Sequence, residues 1–81
     1  MERVAAGFER IVSDPAKMNG QPCIRGTRLT VRRVLQIVGD YKDRAEITRE
    51  FPELHDEDIR EALAFAASRL EDRVVELQTA K

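Results

Sequence analysis

Residues 19–31 read Asn-Gly-Gln-Pro-Cys-Ile-Arg-Gly-Thr-Arg-Leu-Thr-Val. This stretch leaves the backbone less choice than any other part of the chain. It holds two of the four glycines, one of the three prolines and the only cysteine, with arginines at 25 and 28. Glycine opens the left-handed region, and proline fixes φ and removes a donor. A small chain that concentrates such residues here is fixing a turn-rich backbone, and the remainder must be arranged around it.

The sequence before and through this stretch reads as a short β-ribbon. Ile11-Val12 is a β-branched pair stopped by Ser13-Asp14-Pro15, because the proline ring keeps Asp14 out of the helical region. Asn19-Gly20 is a second turn signal. Cys23-Ile24 follows as another strand, and Gly26 is expected to supply a positive φ or a bulge. Ile11, Ile24 and Leu29 are expected to face the helices. Met1 to Arg10 reads as a frayed helical turn or an arm, since Gly7 disfavours a stable helix.

Three helices follow. Thr30 is the expected N-cap of the first, over 31–40, with Val34, Leu35 and Val38 at helical spacing. Asp43 with Glu46 reads as a capping box for a second helix, about 44–51, stopped by Pro52. The third is expected to begin at His55 or Asp56, with Asp56, Glu57 and Asp58 at the positive end of its dipole. No Pro or Gly interrupts the chain after that, so the helix is expected to reach Gln78, ~35 Å at 1.5 Å per residue. Its expected stripe, Ile59, Leu63, Ala66, Leu70, Val74 and Leu77, is close to a heptad seam. Two short helices can cover only its first half. Leu70, Val74, Val75 and Leu77 should then overhang as an apolar partner surface. The expected organisation is an N-terminal arm at 1–9, one β-ribbon and three-helix core at 10–67, and a helical extension at 68–81.

At 81 residues the chain is one small domain, and nine of its hydrophobic residues are alanines. Such a core is marginal, so a homodimer or other complex is expected. Charge is divided unevenly. Up to Arg33 there are seven Lys or Arg against three acids, and beyond it seven against twelve, within a net charge of −1. A basic head on an acidic body points to two surfaces with different partners. A single cysteine precludes an internal disulfide and favours a cytoplasmic setting. No apolar run is long enough to span a membrane, and the first ten residues lack the pattern of a signal peptide.

The order of several motifs resembles a known family. These are Asp14-Pro15, Gly20-Gln21-Pro22, Ile24-Arg25-Gly26-Thr27-Arg28, Val31, Ile47, Phe51-Pro52-Glu53-Leu54, Asp58-Ile59 and Ala62-Leu63. Together they resemble the small bacterial proteins grouped as domain of unknown function 433, over about Arg10 to Ala67. His55 stands where the family usually has Thr or Ser, and Phe65 where Tyr is common. The resemblance implies a mainly α fold: a short N-terminal β element and a homeodomain-like, helix-turn-helix three-helix core. It also implies an antitoxin-like role, because members are often encoded beside PIN-like ribonuclease toxins.

The chemistry narrows the function classes. One His and one Cys with no metal-ligand spacing do not describe an enzyme, and neither a cofactor nor a metal is expected. Cys23 reads as a small buried hydrophobe. Residues 43–63 have the length pattern of a helix-turn-helix, but Asp56, Glu57, Asp58 and Glu61 crowd the end that should enter a groove. Arg25, Arg28, Arg32 and Arg33 are the better DNA-binding candidates, although Arg28 could instead hold a carboxylate of the third helix. The expectation is an antitoxin that neutralises a PIN-like ribonuclease and binds operator DNA as a dimer. The alternative is a self-associating adaptor without DNA binding. A weaker third reading is a redox- or metal-responsive regulator working through Cys23 and His55.

Overall fold

A computed structural model describes residues 1–70. Three short antiparallel strands, β1 (Arg3–Val4), β2 (Ile11–Ser13) and β3 (Cys23–Ile24), form a sheet in the order β1-β2-β3. Three helices follow: α1 (Val31–Asp40), α2 (Arg44–Glu50) and α3 (Asp56–Arg69). The protein is therefore mainly α with an N-terminal β part.

Register sorts the strand residues between two faces. Ile11 lies opposite Ile24, and Val12 opposite Cys23. Neighbouring pairs point to opposite sides of a pleated sheet. Ile11 and Ile24 turn inward and join Val34, Ile37, Ile47, Leu54, Ile59 and Ala62 in one core. Leu29 packs against the same core, as its sequence position suggested. Val12 and Cys23 are buried outside that core, on the far side of the sheet.

The helix starts follow from their caps. The Thr30 hydroxyl accepts from the Arg33 N–H at 3.0 Å, and the Asp43 carboxylate accepts from the Glu46 N–H at 2.9 Å. Each such bond satisfies an N–H left without a partner by the helix end and contributes about 1 kcal/mol. Between α2 and α3 the Leu54 N–H donates to the Phe51 carbonyl at 2.9 Å, which turns the chain just after Pro52.

Four expectations need correction. The first residues are neither a free arm nor a helical turn: Arg3 pairs with Ser13 and Val4 with Val12. Gly7, at φ +85°, makes the intervening turn. Second, α3 closes at Arg69, and Leu70 is extended at φ −92° and ψ 135°. The helix therefore does not run unbroken through Leu70; Val74, Val75 and Leu77 lie outside the described residues. Third, α3 faces the core with Ile59, Ala62 and Phe65, while Leu63 is 40% exposed. Ala62, fully buried, has the smallest side chain that still packs, and it lets α3 approach α1. Phe65 fills the space beyond, edge-on to Phe8 with ring centroids 5.4 Å apart. Fourth, Asp58, expected only as a charge at the positive end of the α3 dipole, is 1% exposed and belongs to the interior.

Candidate functional site

The turn-rich stretch folds into a tight hairpin. The Ile24 N–H donates to the Leu29 carbonyl at 2.9 Å, and the Thr27 N–H to the Ile24 carbonyl at 3.0 Å. The Thr27 hydroxyl donates to that same carbonyl and accepts from the Leu29 N–H. Gly26 takes φ +78°, the positive value its position predicted. Cys23 and Thr30 pair beyond Ile24 and Leu29, so the returning strand runs directly into the cap of α1. Arg25 and Arg28 are thereby placed at an exposed hairpin tip, and Arg32 and Arg33 on the exposed first turn of the following helix.

The four arginines come from one segment but do not share one face. Arg25 borders a shallow groove formed by Val4 to Arg10, whereas Arg28 borders a pocket over Val12 and Cys23. The Arg33 guanidinium sits 5.9 Å from the centre of the Phe51 ring, on the side of α2. None of the four forms an ion pair among the described residues. In particular Arg28 does not reach a carboxylate of α3.

The arginine that does so is Arg10, which sequence reasoning left unassigned. Its Nε pairs with Asp58 Oδ1, and its backbone N–H donates to Glu61 Oε1 at 2.9 Å. The second Asp58 oxygen accepts from the His55 N–H at 2.9 Å. One buried carboxylate therefore caps α3 and fastens it to the residue just before β2. The Arg10 guanidinium is held above its ordinary pKa, first by the hydrogen bond to Asp58 and then by that residue's charge. No local signal marks this partnership, because the two residues are 48 positions apart.

The helix starts differ in charge. Asp56, Glu57 and Asp58 stand in the first turn of α3, and Glu46 in that of α2. Carboxylates there match the positive end of a helix dipole. The first turn of α1 has no acid and two arginines, and its last turn has no base. Its charges run against its own dipole and leave an uncompensated positive end. On α3, Arg60, Leu63 and Ala67 are exposed at spacings of three and four and share one outward strip, and Leu70 is exposed just past its end.

Family comparison sets this arrangement in context. The chain matches the family described as "Protein of unknown function (DUF433)" over residues 11–66. It belongs to the DUF433 family. The matched segment runs from β2 almost to the end of α3 and takes in the hairpin, all four arginines, Asp58 and Leu63. Arg10 adjoins it, and β1 and Leu70 fall outside. Neither a curated protein nor a solved structure matches.

Cys23 is buried, and its thiol donates to the Gln21 carbonyl at 3.3 Å. Burial pushes its pKa up, while the nearby positive charge of Arg28 partly opposes that. A thiol in this state is a weak nucleophile at neutral pH. Among the described residues, no three His, Cys, Asp or Glu side chains are grouped to hold a metal ion, and no helix is long and apolar enough to cross a membrane.

Proposed function

We propose that this DUF433 protein is the antitoxin-like component of a toxin–antitoxin pair, working in the cytoplasm as a homodimer. It neutralises a PIN-like ribonuclease and binds operator DNA. The observation that carries the reading is the opposition between two helix starts. The α1 start is cationic against its own dipole, whereas α3 is acidic at its start and apolar along its outer strip.

The DNA limb uses Arg25 and Arg28 on the hairpin tip with Arg32 and Arg33 on α1. Two arginines at a helix N-terminus cost local stability unless an anion is nearby, and a phosphate backbone supplies one. The α2–turn–α3 segment is helix-turn-helix-like in length. Asp56 and Glu57 at its exposed start nevertheless repel phosphates, so the hairpin and α1 take the DNA contacts. A second copy supplies the matching half-site that small dimeric binders use.

The toxin limb uses Leu63 and Leu70 and the sequence that follows them, including Val74, Val75 and Leu77. An apolar strip next to the acidic start of α3 complements an enzyme cleft that handles RNA.

Co-expression with a PIN-like ribonuclease from the same organism tests the toxin limb: a stable complex is expected, and its loss on deletion of residues 70–81 places the contact. A gel shift with the upstream DNA at two salt concentrations tests the other limb. Binding is expected to weaken with salt, with a slope smaller by about one for each contacting arginine changed to alanine.

The divergence of Arg25, Arg28 and Arg33 onto different parts of the surface favours one alternative, a self-associating adaptor without DNA binding. Retention of the complex with no gel shift at low salt identifies that case.

A further inference from the structure

The outer side of the sheet carries a pocket of about 250 Å³ that the proposed function touches only through Arg28. Val12, Met18 and Cys23 supply its apolar surface, and Lys17 and Arg28 stand at its margin. Val12 and Cys23 are nearly inaccessible yet belong to no part of the main core, so they build a separate apolar floor. Met18, which lines the pocket, is held in a conformation unfavourable for its type and opens a left-handed run. Met18 and Asn19 both have positive φ, 51° and 57°, and Gly20 continues the run at 77°. Non-glycine residues rarely occupy that region, and consecutive ones need the surroundings to hold them there.

The charges at the margin are not equivalent. Asp14 also borders the pocket, but its carboxylate is engaged by the Ala16 N–H at 2.9 Å and by the Met1 amino group at 3.1 Å. Lys17 and Arg28 have no ion-pair partner among the described residues, and Glu2 is the one carboxylate left at the mouth. The balance over the apolar floor is positive.

We infer that this pocket binds a small organic acid, its carboxylate between Lys17 and Arg28 and its short apolar body on Val12, Met18 and Cys23. The volume is that of roughly eight water molecules at ~30 Å³ each, which suits an acid of about six carbons. Charge-assisted hydrogen bonds fix the head, and the floor removes the tail from water. Because Val12 and Cys23 pair across β2 and β3, at the base of the hairpin, occupancy also stiffens the hairpin that carries Arg25 and Arg28.

The probe is hexanoate, titrated into the full ¹⁵N-labelled chain and followed by amide chemical shifts, with hexan-1-ol in parallel. Saturable shifts at Val12, Cys23, Thr27 and Arg28 are expected with hexanoate, and weaker binding by about tenfold or more with the alcohol. Lys17→Gln, on an exposed loop, is expected to weaken hexanoate severalfold with an otherwise unchanged spectrum, and Arg28→Gln to weaken it further. Shifts that never saturate, that centre on α3, or that are equal for acid and alcohol overturn the inference. So does an affinity unchanged in Lys17→Gln.

Discussion

The N-terminus of α1 and that of α3 solve one physical problem in opposite ways. Both helices leave N–H groups unpaired and a positive dipole end. At α3 the sequence compensates fully: three acids occupy the first turn, and Asp58 receives the His55 N–H while pairing with Arg10. At α1 a neutral threonine satisfies one N–H, and Arg32 and Arg33 then add positive charge. Compensation at α3 serves folding. Its absence at α1 leaves a positively charged surface, and the proposed division of work between the two ends rests on that difference.

Substitutions can break this contrast, and Asp58 gives the largest effect. Asp58→Ala removes a cap and leaves Arg10 without its buried partner, costing ~3 kcal/mol after allowance for the half-exposed arginine. That lowers Tm by about 15 °C in a domain of this size, measurable by calorimetry. Replacing Arg10 and Asp58 together by methionine should recover part of the loss, because an apolar pair carries no desolvation cost. Equal losses in the single and double variants would show that the pair is not the unit.

Thr30→Ala should cost about 1 kcal/mol by denaturant unfolding, since the cap is the sole side-chain compensation at α1. Arg32→Glu has the opposite sign: a stability gain of ~0.5 kcal/mol at low salt, with loss of DNA affinity. A variant that is both less stable and weaker in binding would place Arg32 in the fold. Asp56→Ala is the smallest, within ~0.5 kcal/mol and fading with salt, because its pair with Arg44 is exposed on both sides.

Local chemistry made much of this molecule legible. Thr30 and Asp43 announce helix starts, Pro52 a stop, and Gly26 a positive φ, since each acts on the backbone within a few residues. The inward strand residues Ile11 and Ile24 were readable for the same reason. What escaped depends on distant partners. Arg10 and Asp58 have nothing in their neighbourhoods to link them, and the β1–β2 pairing rests on a two-residue strand too short for alternation to show. The register of α3 was also hidden. Alanines at 62, 64, 66 and 67 permit several faces to pack, and the choice of Ala62 and Phe65 over Leu63 is made by α1 and Phe8. At the candidate site the arginines were identifiable by type. Their divergence was not, because it is set by the hairpin geometry and by Phe51 on another helix.

The most direct test is a titration of ribonuclease inhibition, using the PIN-like enzyme proposed as the partner with the wild-type chain, with Leu63→Asp/Leu70→Asp, and with Arg32→Glu. Both leucines are exposed, so the double variant should stay folded. The account predicts at least about a tenfold loss of inhibition in the leucine variant, equivalent to ~1.4 kcal/mol, and none in Arg32→Glu. Full inhibition by the leucine variant, or equal loss in both, would contradict the assignment of α3 to the toxin and α1 to DNA.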